Sequence, residues 1–290
     1  MQGEAEIVRL LRPGDEAALD AFLRAHAASS VFLRSNLRAG GIEDRGEVHQ
    51  ARYAGLLRGA DLVAVAAHCQ NGSLLLQAPF AAERVAAAAV GASGRRVRWL
   101  LGPAAHVEAV RRSPLLAARI PVKASREELM RLDLEHLTVP PPLGAGEVRC
   151  RRGAAGDYDR LTQWRVAYEV EAFGRAATAA LERESRSEMV RRCESRALFV
   201  LESAREPVAM CAFNARLPDT VQLGSVFTPR PLRARGFGRA VAAGALLAAR
   251  EEGATSAILF TGVENAPALR AYRSLGFERV GDYALVLYEG

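Results

Sequence analysis

Val226-Phe227-Thr228-Pro229-Arg230-Pro231-Leu232-Arg233-Ala234-Arg235-Gly236-Phe237-Gly238-Arg239 is the stretch that decides how this chain folds. The residues leading into it, Thr220 to Phe227, are mostly apolar and include β-branched side chains, the pattern of a buried strand. The residues after it, Ala240 to Arg250, are rich in alanine and leucine and predict a helix. Between strand and helix lies Arg-x-x-Gly-x-Gly. Gly236 and Gly238 carry no Cβ, so backbone N–H groups can turn toward a ligand and approach it closely. The positive end of the following helix points at the same place, which makes an anion site. Arg230, Arg233, Arg235 and Arg239 add charge around it. The stretch is not a Walker loop, since no Gly-Lys-Ser/Thr is present. It is not the dinucleotide fingerprint either, because Arg239-Ala240-Val241 follows Gly238 where x-x-Gly is required.

Downstream, Ala257-Ile258-Leu259-Phe260-Thr261 predicts a second apolar strand, and Glu264 to Phe277 predicts a helix that ends at Gly276. The series Arg233-x-x-Gly236-x-Gly238, strand, Asn265, Tyr272, Gly276-Phe277 resembles the acyl-CoA core of the GNAT N-acetyltransferases. The resemblance is specific over about residues 220 to 290 and extends back to about 147. It implies an α/β (α+β) fold, with a mixed central sheet flanked by helices, and acetyl-CoA as co-substrate without a metal. It also implies roles. Two neighbouring strands splay apart, and the freed edge at Val226, Phe227 and Thr228 pairs with the pantetheine arm. One backbone N–H there polarises the thioester carbonyl, an oxyanion-hole role. The N–H groups of Ala234, Arg235, Gly236, Phe237, Gly238 and Arg239 take the pyrophosphate. Asn265 caps the next helix and bonds the pantetheine arm. Tyr272, seven residues on and on the same helix face, gives a proton to the departing thiolate. Read without the resemblance, the strand residues are plain core, Asn265 is an ordinary cap and Tyr272 a half-buried aromatic.

The chain of 290 residues is long enough for two domains. Half of it is hydrophobic and a quarter charged, the balance of a globular protein, and no apolar run reaches the length that spans a bilayer. Met1-Gln2-Gly3-Glu4-Ala5-Glu6 has no signal-peptide pattern. Cys69, Cys150, Cys193 and Cys211 have no paired spacing and read as reduced thiols, so the expected location is the cytoplasm and no zinc site is expected. The net charge of +6 comes from scattered arginines, not from a basic stripe interleaved with aromatics. That pattern points away from nucleic acid and suits a polyanionic cofactor.

Read in order, the chain repeats itself. Strand, helix, helix, hairpin, strand, helix, strand, helix is predicted from Ile7 to about Arg112, with a further strand at Met130 to Leu137, and again from Val148 onward. Thr138 to Gly146, with three prolines and two glycines, reads as the linker. The expected domains are 1–137, a degenerate GNAT-like copy, and 147–290, the catalytic one. Leu76-Gln77-Ala78-Pro79 falls in the slot of Val226-Phe227-Thr228-Pro229, but Phe80 to Val85 follows it with no glycine loop, and Glu83 would repel a phosphate. Phe32 to Leu37 also resembles a Phe-Leu-Arg-Ser-Asn-Leu segment that marks the first half of two-domain GNAT proteins.

No residue stands out as the base for the acceptor amine. His26, His49, His68, His106 and His136 all precede the second copy, and Thr220 to Thr228 holds no glutamate. Glu169 and Glu171 lie near an acceptor pocket in this fold but read as a solvated helix end. The leading expectation is acetyl transfer from acetyl-CoA to a small-molecule or peptide amine. A non-catalytic acyl-CoA sensor and a tRNA-dependent aminoacyl transferase stand as alternatives. The acceptor and the oligomeric state are not legible.

Overall fold

A computed structural model describes residues 6–289. Two units emerge from the packing. One contains the residues up to Leu129 together with those from Val280 on, and the other is Met130–Arg279.

In the first unit the chain runs β1 (Glu6–Leu10), α1 (Glu16–Ala25), α2 (Val31–Gly40), β2 (Ala51–Arg58), β3 (Asp61–Cys69), β4 (Ser73–Gln77), α3 (Ala82–Ser93), β5 (Trp99–Pro103) and α4 (Ala104–Arg112). Then β6 (Pro121–Asp133) runs across the boundary between the units. Strands β1 to β4 pair antiparallel in sequence order, and β4 lies parallel to β5. All five residues of β4 are buried, which accounts for its unbroken Ser-Leu-Leu-Leu-Gln run. The last strand of the chain, β12 (Glu278–Tyr288), pairs antiparallel with β5 from Tyr283↔Pro103 to Leu287↔Trp99.

In the second unit a helical turn, α5 (Pro141–Gly144), precedes β7 (Val148–Arg152), α6 (Tyr158–Phe173) and α7 (Ala179–Glu194). There follow β8 (Leu198–Ser203), β9 (Glu206–Arg216), β10 (Thr220–Phe227), α8 (Phe237–Glu251), β11 (Ser256–Gly262) and α9 (Ala266–Ser274). Strands β7 to β10 pair antiparallel, and β10 lies parallel to β11. Beyond β11 stands the end of β6. Helix α8 is buried over Ala240 to Leu246 without interruption. Its small side chains let it lie close on the sheet: a Cβ at Gly244 would fall 2.2 Å from the Cβ of Cys150 on β7.

The elements follow the predicted order up to α9, in an α/β fold with mixed sheets flanked by helices, but β12 is not among the predicted strands and the divisions differ. The strand expected at Met130 to Leu137 begins at Pro121 and ends at Asp133 in a short 3-10 turn. Thr138 to Gly146 is not a free linker, because Leu143 packs on the core of the second unit and the Thr138 N–H bonds Leu275 O at 3.1 Å. The units also divide elsewhere than at 137 and 147. Tyr283, Leu285, Val286 and Leu287 are buried beside β5, so the chain's end belongs to the first unit. A cut between 137 and 147 would strip β6 from the second unit and leave β12 without its partner.

Candidate active site

Parallel pairing between β10 and β11 covers only Thr220↔Ser256, Val221↔Ala257 and Gln222↔Ile258. From Leu223 onward the two strands part, and β10 is paired on its other side alone, to β9. That leaves the side of β10 away from β9 without a strand partner from Leu223 to Phe227. A bulge sits in the same segment. Gly224 pairs with Ala212 and Phe227 with Met210, so Ser225 and Val226 oppose the single residue Cys211. Ser225 has φ +51°, a left-handed conformation.

The loop then returns to this edge. Arg230–Leu232 form a 3-10 turn, Ala234 takes φ +62°, and Gly236 caps α8 with φ +77° and ψ +3°. Only glycine adopts that last conformation without strain, which explains the residue type. The first N–H to find an acceptor within the helix is that of Ala240, donating to Gly236 O at 3.0 Å. The N–H groups of Phe237, Gly238 and Arg239 are thus the open donors of a helix start. They stand beside the freed strand: a Cβ on Gly238 would lie 3.5 Å from Thr228 Oγ1 and 3.8 Å from Val226 Cγ1. Val226, Thr228 and the helix start, read in the sequence as one strand–loop–helix stretch, are neighbours.

The arginines divide into two pairs. Arg233 donates to Glu171 Oε2 at 2.7 Å and to Thr228 O at 2.9 Å, and its guanidinium lies over the Phe227 ring. Arg230 reaches Glu171 Oε1 at 3.3 Å. Burial would raise the Glu171 carboxyl, but the Arg233 hydrogen bond and the charges of Arg233 and Arg230 outweigh it and hold the group below its ordinary range. Arg233 is therefore a strut of the loop more than a phosphate ligand. Arg235 and Arg239 make no ion pair among the described residues and remain the cations open to an anion.

Asn265 is the N-cap of α9, its side chain accepting from the Ala268 N–H at 3.3 Å. Tyr272 is buried in the core of the second unit, edge-on to Phe277 at 5.9 Å between ring centres. Burial raises its phenol well above the ordinary value, and the neighbouring Tyr168 and Cys211 add to the rise. The proton is therefore held on the oxygen across the physiological range. Tyr168, which the sequence reading passed over, also touches Phe227, with ring centres 6.5 Å apart. Trp164 does so at 6.4 Å. Both lie on α6 one turn apart and give the end of β10 an aromatic wall. Their i, i+4 spacing was the signal available for this.

Glu169 and Glu171 are not a solvated helix end. Glu169 is 3% exposed and clamped by Arg165 at 2.5 Å and Arg175 at 3.2 Å. Both carboxylates are engaged by arginine. The cysteines are unpaired, and burial pushes the thiols of Cys69 and Cys150 up to about 12 and that of Cys193 to about 11. Among the described residues no helix is long and apolar enough to cross a membrane.

Residues 158–277 match the acetyltransferase (GNAT) family model. No curated protein sequence matches the chain. Among solved structures, a Drosophila protein superposes with a TM-score of 0.65 at 13% identity, covering 98% of this chain and 99% of its own. A GCN5-related N-acetyltransferase from Sphaerobacter thermophilus gives 0.59 at 16%, covering 98% and 96%. A tandem GNAT protein from the clavulanic acid biosynthesis pathway gives 0.55 at 14%, covering 97% and 98%. The parted parallel strands and the open helix start thus lie within a stretch that a family model matches independently: residues 158–277 are a GNAT acetyltransferase-family domain, in a chain with the two-unit fold of tandem GNAT proteins.

Proposed function

We propose that the second unit binds acetyl-CoA between β10 and β11 and transfers its acetyl group to an amine. The observation that carries this is the parting of the two parallel strands after Gln222↔Ile258, next to a helix start with open N–H donors. The residues fit the ligand on chemical grounds. Phe237, Gly238 and Arg239 N–H groups with Arg235 and Arg239 suit a pyrophosphate. The unpaired edge at Val226, Phe227 and Thr228 suits an amide-bearing arm, and Asn265 closes the facing side.

Acetyl-CoA, when bound, supplies an activated acyl group. A backbone N–H at the β10 bulge polarises the thioester carbonyl. The acceptor amine forms the new C–N bond as the C–S bond breaks, and its own proton leaves to solvent. Tyr272 gives its phenol proton to the departing sulfur and recovers it afterwards. The aromatic wall of Trp164 and Tyr168 shields this end of β10 from water. The acceptor is a small-molecule or peptide amine, and the location is cytoplasmic.

Calorimetry of the full chain with acetyl-CoA, followed by thiol release over a panel of amines, tests the proposal. One site per chain and amine-dependent thiol release are expected. Two sites would mean that the first unit also binds. Binding without thiol release from any amine would favour a sensor.

A further inference from the structure

Ser225 is a buried serine in a left-handed conformation, a state that strains a residue carrying a Cβ. Something must hold it there. Its hydroxyl accepts from Arg165 Nη1 at 3.2 Å, across from α6. Arg165 forms ion pairs with two carboxylates, Glu169 at 2.5 Å and Glu188 at 3.0 Å, although its Nε makes no hydrogen bond. Glu169 is held further by Arg175, and Glu188 by Arg192 at 2.7 Å. Arg192 then donates to Asn214 Oδ1 at 2.9 Å, and Asn214 donates to Gln222 Oε1 at 2.8 Å. The chain of contacts thus leaves β10 at Ser225, passes through α6 and α7, and returns to β10 at Gln222 by way of β9. Gly224, between those two anchors, lies under Asn214 so closely that a Cβ would fall 2.0 Å from its Nδ2.

A network of this kind is a poor way to gain stability. Burying several charges costs desolvation that apolar side chains between α6 and α7 would avoid. What it provides is direction. It ends on β10 at Gln222, ahead of the bulge, and at Ser225, within it, where β10 no longer pairs with β11. We infer that Arg165 is a positioning residue: through Ser225 it fixes the bulge that aims a β10 backbone N–H at the thioester carbonyl, and the ion pairs behind it keep its guanidinium in register. This rests on acetyl-CoA lying along β10, as proposed above.

Isotope-edited infrared spectroscopy of acetyl-CoA carrying ¹³C at the carbonyl reads the aim of that N–H directly, with no acceptor needed. Bound to the full-length protein, the carbonyl band should lie below that of free acetyl-CoA. In Ser225→Ala the band should return most of the way to the free position while affinity stays within about threefold, because most binding energy comes from the phosphate and pantetheine contacts. Arg165→Ala should do the same and Arg165→Lys should recover only part of the shift, since an ammonium cannot span the same partners. Should Arg165→Ala fail to fold, Ser225→Ala alone decides, because it removes one hydroxyl. A wild-type band shift that survives unchanged in Ser225→Ala overturns the inference. So does a bound acetyl-CoA with no shift in the parent. Failure of the parent to bind acetyl-CoA would instead overturn the function on which the inference rests.

Discussion

Each unit contains one parallel strand pair followed by a helix, and the two pairs end differently. In the first unit β4 and β5 likewise pair over three residues, from Ser73↔Trp99 to Leu75↔Leu101. The approach then tightens, since a Cβ on Gly102 would stand 2.8 Å from Leu76 O. The next free N–H, that of Ala78, is taken by His106 Nδ1 at 3.1 Å. In the second unit β10 and β11 separate after three pairs, and β10 is bent away by its bulge. The same succession of elements therefore yields a sealed pair and a parted one. What separates them is a handful of contacts: a glycine and an imidazole that close one edge, and an arginine–serine hydrogen bond with a glycine-capped helix that equips the other.

Four measurements would break or sharpen that contrast. The largest effect is expected at Tyr272. Tyr272→Phe keeps the ring against Phe277 and removes only the proton, so turnover should fall by about 10²–10⁴-fold with acetyl-CoA affinity nearly unchanged. Activity within about threefold of the parent would mean that the thiolate takes its proton elsewhere. Next comes the helix start. Gly236→Glu places a side chain at a left-handed position and a negative charge at the open N–H groups, and should weaken acetyl-CoA by about a hundredfold or more. Unchanged affinity in a folded variant would remove the phosphate assignment.

The third concerns the sealed pair. Gly102→Val forces atoms against the Leu76 backbone and should destabilise the protein by about 1–3 kcal/mol, seen in thermal unfolding. Calorimetry should still find one acetyl-CoA site, since loosening these strands supplies no glycine loop. A second site would show that the seal alone distinguishes the units. The smallest effect belongs to His106. Burial lowers its imidazole to about 4 from 6.5, and the nearby His26 adds to this. The bond from Ala78 also requires a neutral ring. A depressed folded value means that this contribution is complete above about pH 6.5 and is lost as pH falls toward about 4. Between those values the parent should lose more stability than His106→Asn, and parallel losses would contradict the buried neutral ring.

How much of this the sequence disclosed depends on the range of the interactions. Glycine conformations, the helix cap at Asn265 and the apolar strands are local, and Val226 to Arg239 could be read as one strand–loop–helix unit. The pairing of Arg233 with Glu171 was not legible, because it joins residues 62 apart in sequence. Glu169 looked solvated for the same reason: its partners are invisible until α6 and α7 are packed. The domain boundary was misplaced by a composition signal. Three prolines near 140 suggested a linker, whereas the pairing of β12 with β5 carries no local mark.

That pairing bears on how the protein is made. Trp99 and its partner Leu287 are 188 residues apart in a chain that leaves the ribosome amino end first. The first unit, begun earliest, cannot complete its sheet until almost the whole second unit has been synthesised. During that interval β5 presents an unpaired, apolar edge. The nascent chain must therefore carry an unfinished strand until residues 283–287 have been made.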